Sequence, residues 1–297
     1  MTVVIPEATR GAGGLADYAL RVAEEWGSGV ARTFVTPESE ASSEASPFPL
    51  RRIACSAEAL RAALPAEAGR VLLHYSAYGF DAWGYPRWLL HEIGRWKQQA
   101  GGILVVMLHE IWTFWPVLNK NYLVQQLHRR DLRKLISAAD AVFTSTASQA
   151  EHLRALDARA AIGVLPVGSN IAVHHSGDRE RIRGLAVVFG LQASRIRTLE
   201  RMQRDVQALA ANGVILRIVT CGAGSNSEAE ARERDLLGTF GLKDGFAQRG
   251  QLAEPEVSQL LSEADLAISS QDELSLTKSG TFMAYASHGL NILSPYA

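Results

Sequence analysis

Val164-Leu165-Pro166-Val167-Gly168-Ser169-Asn170, with His174-His175-Ser176-Gly177 close behind it, interrupts the hydrophobic periodicity on both sides and decides how the chain is divided. Proline and glycine in so short a run end helix and strand patterns alike, so the segment from Pro166 reads as a linker. On each side of it, short Val/Ile/Leu-rich runs alternate with longer amphipathic stretches, the pattern of strand, helix and parallel strand. Upstream, strands are expected at Thr2 to Ile5, Arg32 to Val35, Val71 to Tyr75, Ile103 to Leu108, Ala141 to Thr144 and Ile162 to Leu165. Helices are expected there at Leu15 to Trp26, Glu58 to Leu64, Pro86 to Gln99, Tyr122 to Ala138 and Ala147 to Leu156. Downstream, the expected strands are Leu185 to Val188, Val214 to Val219, Gln248 to Arg249, Leu266 to Ile268 and Asn291 to Leu293. The expected helices are Ile196 to Ala211, Ser227 to Thr239, Glu254 to Glu263 and Gly280 to Ser287. The fold class is therefore α/β, with two Rossmann-like domains, 1–170 and 171–297. Open parallel sheets bind ligands at the carboxyl ends of their strands, so the two domains are expected to face each other across a cleft.

Composition narrows the function classes. The 297 residues carry 30 Lys plus Arg against 31 Asp plus Glu, a formal charge of −1, and 47% are hydrophobic. That balance excludes a disordered tail and a strongly basic nucleic-acid binder. Two cysteines, Cys55 and Cys221, have no C-x-x-C spacing and read as reduced thiols in small core positions. No apolar run approaches the roughly 18 residues of a membrane span, and the start lacks the basic and apolar regions of a signal peptide. A cytoplasmic protein is expected, with peripheral membrane contact left open.

Four groups of residues can carry chemistry. Gly11-Ala12-Gly13-Gly14-Leu15-Ala16 fits a relaxed G-x-G-x-x-A before a helix. The distance from Ile5 is long for a dinucleotide turn; a plain turn and a glycine loop admitting a substrate both remain open. Thr277-Lys278-Ser279-Gly280-Thr281 opens a helix after the Leu266 strand. Hydroxyl caps, a glycine, free N–H groups at a helix start and a lysine together make a phosphate or diphosphate cradle. Arg195 and Arg197, after Val187-Val188-Phe189-Gly190, are candidates for reaching the same anion, and Gly222 and Gly224 for close backbone approach at that rim. His109-Glu110, at the end of the Ile103 strand, can offer a hydrogen bond to a sugar hydroxyl, with Glu110 as orienter or base. No second H-x-x-x-H element accompanies it, so no metal is expected. Finally, Tyr75, Tyr78, Phe80, Trp83, Tyr85, Trp88, Trp112, Phe114 and Trp115 crowd one region. Such rings stack on sugars or hold amphiphilic acceptors, while Trp88 and Trp96 suit the core.

In this order the pieces resemble a GT-B-fold retaining glycosyltransferase, family 4-like and dependent on a nucleotide sugar. The resemblance runs through Gly13-Gly14, Leu108-His109-Glu110, Ala139 to Ser145, Val164 to Asn170, Gly250-Gln251-Leu252, Ala264 to Ile268 and Lys278 to Tyr285. It implies that the second domain binds the donor, with Lys278 and the helix start at Gly280 facing the diphosphate. Glu273 would be the first acid of the family's E-x7-E motif, touching the donor sugar. Thr281 stands where the second acid would take the ribose. Arg195 or Arg197 would replace the family's basic clamp, although the usual arginine-to-lysine spacing is not kept, and His109 would touch the donor sugar from the first domain. The resemblance further implies metal-independent transfer, no cofactor besides the nucleotide-sugar co-substrate, and a saccharide or lipid-linked acceptor. Rival readings are a degenerate transferase-like scaffold, motivated by Thr281, an NAD(P)-dependent oxidoreductase resting on Gly11 to Ala16, and a nucleotide-sugar epimerase. A second domain of this family continues past Asn291-Ile292-Leu293, so truncation at the C-terminal end is expected.

Overall fold

A computed structural model describes residues 1–9, 13–27, 29–38, 46–112, 116–119, 121–174, 180–224 and 226–295. The chain divides into two compact units, Met1–Pro166 and Val167–Ala297. The residues from Val167 to Asn170 thus go with the second unit: Val167 N–H donates to Thr277 O at 2.9 Å.

In the first unit, strands β1 (Thr2–Val4), β2 (Thr33–Pro37), β3 (Leu50–Ile53), β4 (Arg70–Tyr75), β5 (Ile103–Leu108), β6 (Ala141–Thr144) and β7 (Ile162–Val164) form one sheet, in the order β3-β2-β1-β4-β5-β6-β7. All its pairings are parallel. Helices α1 (Gly14–Glu25), α2 (Ala57–Ala63), α3 (Ala77–Phe80), α4 (Arg87–Ala100), α5 (Tyr122–Ala138) and α6 (Ala147–Leu156) connect the strands. The central strands are near-continuous apolar runs because helices cover both of their faces. One core gathers Leu73, Tyr75, Leu89, Leu104 and Leu132, and another Val3, Ile5, Leu20 and Phe34.

The second unit repeats the plan with β8 (Ile182–Phe189), β9 (Arg217–Cys221), β10 (Phe246–Gln248), β11 (Ala264–Ile268) and β12 (Asn291–Leu293), ordered β10-β9-β8-β11-β12 and again parallel. Its helices are α7 (Gln192–Arg201), α8 (Gln203–Ala211), α9 (Ser227–Gly238), α10 (Glu254–Glu263) and α11 (Gly280–Ser287). Helix starts follow the capping logic of the sequence: Ser56, Thr146, Asn226 and Ser279 each accept from a backbone N–H in the first turn.

Two expectations are corrected. The helix expected at Ile196 to Ala211 begins at Gln192 and breaks at Met202, whose φ of −97° and ψ of 9° leave the helical region. Cys55 is exposed after β3 rather than in the core, whereas Cys221 is buried at the end of β9. Among the described residues, no helix is long and apolar enough to cross a membrane.

Candidate functional site

Strand order reverses on the two sides of β8, between β9 and β11, which places the unit's crevice over the carboxyl ends of β8 and β11. Gly190 leaves β8 there, and its N–H donates to Cys221 O at 3.1 Å. Gly222, at φ +123°, leaves β9 directly against it: a Cβ on Gly222 would stand 2.2 Å from Gly190 O. Gly222 is thus required because two backbones touch. Tyr285 of α11 is fully buried beneath, its hydroxyl accepting from Phe189 N–H at 2.7 Å and donating to Phe189 O at 3.3 Å. This pair of bonds ties α11 to the end of β8. As a result Thr281, in the first turn of α11, has its Oγ1 3.7 Å from where a Cβ on Gly190 would lie.

The start of α11 is built for polar contact. Ser279 Oγ accepts from Phe282 N–H at 3.1 Å, Gly280 opens the helix, and Lys278 is exposed at the end of a short 3-10 turn, Leu276–Lys278. Thr277, Lys278, Ser279, Gly280 and Thr281 therefore converge on one helix N-terminus, where free N–H groups and the helix dipole favour an anion. The loop carrying Glu273, itself exposed, is braced from α7: Thr198 Oγ1 donates to Ser270 Oγ at 2.9 Å and Arg201 to Ser270 O at 3.0 Å.

The two candidate arginines go elsewhere. Arg195 is only 3% exposed, and its fork meets Glu233 of α9 at 2.8 and 2.9 Å while Nη1 donates to Gly190 O at 2.6 Å. Burial pushes the Glu233 carboxyl up, but the hydrogen bonds and charge of Arg195 overcome it and hold it below the usual range. Arg195 is consequently a strut between α7, α9 and the Gly190 turn. Arg197 lies about 200° further round α7 from it and is exposed.

In the first unit, His109 follows β5 with its N–H on Tyr75 O at 2.9 Å and its carbonyl accepting from Gln149 Nε2 at 3.2 Å. Its Nε2 is 3.0 Å from Nδ1 of His74 on β4; the rings stack at 5.3 Å, with Tyr18 of α1 edge-on to both. Burial, with His109 adding to it, pushes the His74 pKa well down, so this ring is neutral. His74 Nε2 is buried and has no partner. A bare acceptor is tolerated there better than a bare N–H, so His74 carries its proton on Nδ1 and donates it to His109 Nε2. A neutral His109 then holds its own proton on Nδ1. Glu110 accepts from Ser76 Oγ at 2.7 Å. Gly13 precedes α1 and Gly14 opens it, and a Cβ on either would touch nothing within 4 Å; Gly11 and Ala12 lie outside the described residues. Tyr18 and His74 escaped the sequence reading, though a histidine inside the apolar run Val71-Leu72-Leu73-His74-Tyr75 is a signal.

The aromatic group divides. Tyr75, Phe80, Trp96 and Trp112 are buried in the core and Trp88 packs against it, whereas Tyr78 and Trp83 are exposed. Phe114 and Trp115 lie outside the described residues.

No protein-family model matches the chain, and no curated protein matches it in sequence. Solved structures do. Sucrose-phosphate synthase from Thermosynechococcus elongatus superposes with a TM-score of 0.61 at 14% identity, over 99% of this chain and 80% of that one. The N-terminal domain of Candida albicans trehalose-6-phosphate phosphatase gives 0.59 at 11% identity, over 98% and 85%. The lipopolysaccharide outer core galactosyltransferase WaaB gives 0.57 at 13%, over 99% and 80%. The chain has the GT-B fold of the synthase and galactosyltransferase structures.

Proposed function

We propose that this chain is a glycosyltransferase that moves a sugar from a nucleotide-diphosphate sugar to a hydroxyl group of a saccharide or lipid-linked acceptor. The observation that carries the proposal is the N-terminus of α11, capped by Ser279 and flanked by Lys278, facing the Gly190 turn where strand order reverses. The fold shared with a sucrose-phosphate synthase and a galactosyltransferase supports it.

In this reading the diphosphate sits on the α11 start. Lys278 and the helix N–H groups neutralise the charge that builds as the bond from anomeric carbon to phosphate oxygen breaks. The acceptor oxygen forms its bond to the same carbon, on the face the diphosphate leaves, and its proton passes to the departing phosphate, so configuration is retained. Glu273, exposed on the loop before α11, is assigned to the sugar hydroxyls. The positive charge comes from the chain itself, and the reaction is assigned no metal and no cofactor beyond the nucleotide-sugar co-substrate. A cytoplasmic site of action fits a nucleotide-sugar substrate.

Calorimetric titration with uridine, guanosine and adenosine diphosphate sugars, followed by product analysis, tests the proposal. Lys278→Ala is expected to lower turnover at least tenfold, or about 1.4 kcal/mol in the barrier. Unchanged turnover would remove the cradle from the mechanism. A second reading, a degenerate sugar-nucleotide-binding scaffold, is favoured by Thr281 where a carboxylate is expected and by the engagement of Arg195 with Glu233. Donor binding without transfer to any acceptor would establish it instead.

A further inference from the structure

The carboxyl edge of the second sheet holds a cation that the proposed transfer leaves idle. Three neighbouring strands, β8, β9 and β10, run out into turns that contain Gly190, Gly222 and Gly250. The turns are tied in series: Gly190 N–H donates to Cys221 O at 3.1 Å, and Gly222 N–H donates to Gly250 O at 2.7 Å. Arg249 stands at the far end of this row, its own N–H on Thr220 O at 2.8 Å. The Arg249 side chain is exposed and, among the described residues, has no hydrogen-bond or ion-pair partner. Burial pushes the Cys221 thiol up while Arg195 and Arg249 oppose it, which brings both guanidiniums close to the end of β9. Arg195 is already paired with Glu233, so Arg249 is the uncompensated charge there.

The row has a length and a direction. From the start of α11, after β11, to Arg249, after β10, is three strand spacings, about 14 Å. A nucleotide whose diphosphate sits on α11 would run its ribose and base along the glycine turns, where a ligand can lie against the backbone. A Cβ on Gly250 would meet nothing within 4 Å, so the far turn is open. The outer edge of the base then meets Arg249. A guanidinium presents parallel N–H donors and suits two acceptors side by side. Guanine offers that pair, O6 and N7, whereas adenine sets an amino donor beside its N7. A pyrimidine carries one such carbonyl on this edge and reaches less far from the ribose.

We propose that Arg249 selects the base of the donor by reading guanine O6 and N7, so that the sugar arrives on guanosine diphosphate. This inference rests on the donor reading given above and adds the identity of the nucleotide.

The test is calorimetric titration of the full chain with guanosine, inosine, uridine and adenosine diphosphates, all carrying the same charge at the diphosphate. Guanosine diphosphate should bind at least tenfold tighter than the uridine and adenosine compounds. Inosine diphosphate, which keeps O6 and N7 but lacks the 2-amino group, should bind like it. Arg249→Ala should remove that preference, and its exposed position means that it should melt with the parent protein. Lys278→Ala should weaken all four alike. Tighter binding of uridine or adenosine diphosphate, or a guanine preference that survives Arg249→Ala, would overturn the assignment and leave the donor reading standing. Failure of every nucleotide to bind would overturn both.

Discussion

Arg195 shows what a single side chain decides. Its guanidinium joins a buried carboxylate, Glu233, to the carbonyl of Gly190, so the turn facing the start of α11 rests on an ion pair inside the fold. Removing one partner strands a charge in low dielectric, and Arg195→Ala is expected to cost about 3–5 kcal/mol in denaturant titration. Arg195→Met with Glu233→Met should recover most of that loss; failure to recover would place the role of Arg195 outside the pair. The sequence suggested an anion clamp at this position because Glu233 lies 38 residues away, beyond any local pattern. His74 makes the opposite case. Its Nδ1–H defines which nitrogen of His109 can donate, a relation visible only once β4 and β5 lie side by side. Nitrogen-15 shifts of the imidazoles should show His109 protonated at Nδ1, and His74→Phe should release that preference. An Nε2–H tautomer of His109 in the parent protein would disprove the assignment.

Elements were more legible than contacts. The buried parallel strands declared themselves as apolar runs, and β5, β6 and β12 form with the expected bounds. Strand β3 escaped because Leu50-Arg51-Arg52-Ile53 is an edge with two arginines, where burial leaves little mark. The break at Met202 was hidden because apolar spacing continues across it without proline or glycine. Two elements carry predictions. The turns after β8 and β9 touch at Gly222, so Gly222→Ala adds a clash to an unfavourable φ and should lower the melting temperature sharply, while Gly224→Ala, whose Cβ would meet only Gln192 Oε1 at 3.8 Å, should be mild. On α5, burial pushes the His128 pKa down to about 4, with Asp131 partly opposing it. An unfolded histidine titrates near ~6.5, so between these values the unfolded chain binds more protons. The contribution is full above that range and lost as pH falls towards 4, about 3 kcal/mol in all. Urea midpoints at several pH values should fall less steeply in His128→Gln, and an identical slope would exclude His128 as the source.

At the scale of the whole molecule, each unit owns a sheet and apolar clusters on both faces of it. The first unit, residues 1–166, is therefore expected to fold when expressed alone, with a cooperative melt and dispersed amide resonances. A molten ensemble would show that it depends on the remainder. The division at the Pro166 segment was readable because proline and glycine mark chain direction strongly, whereas the convergence of Gly190, Gly222 and Thr281 depends on strands far apart in sequence. The two cysteines, one in each unit, have a practical consequence. Cys55 is open to solvent, while Cys221 is sealed at the end of β9 and its thiol is pushed up to about 12, chiefly by burial. A maleimide dye should therefore attach once to the native chain, at Cys55, and a second attachment would time the opening of the second unit's sheet alone.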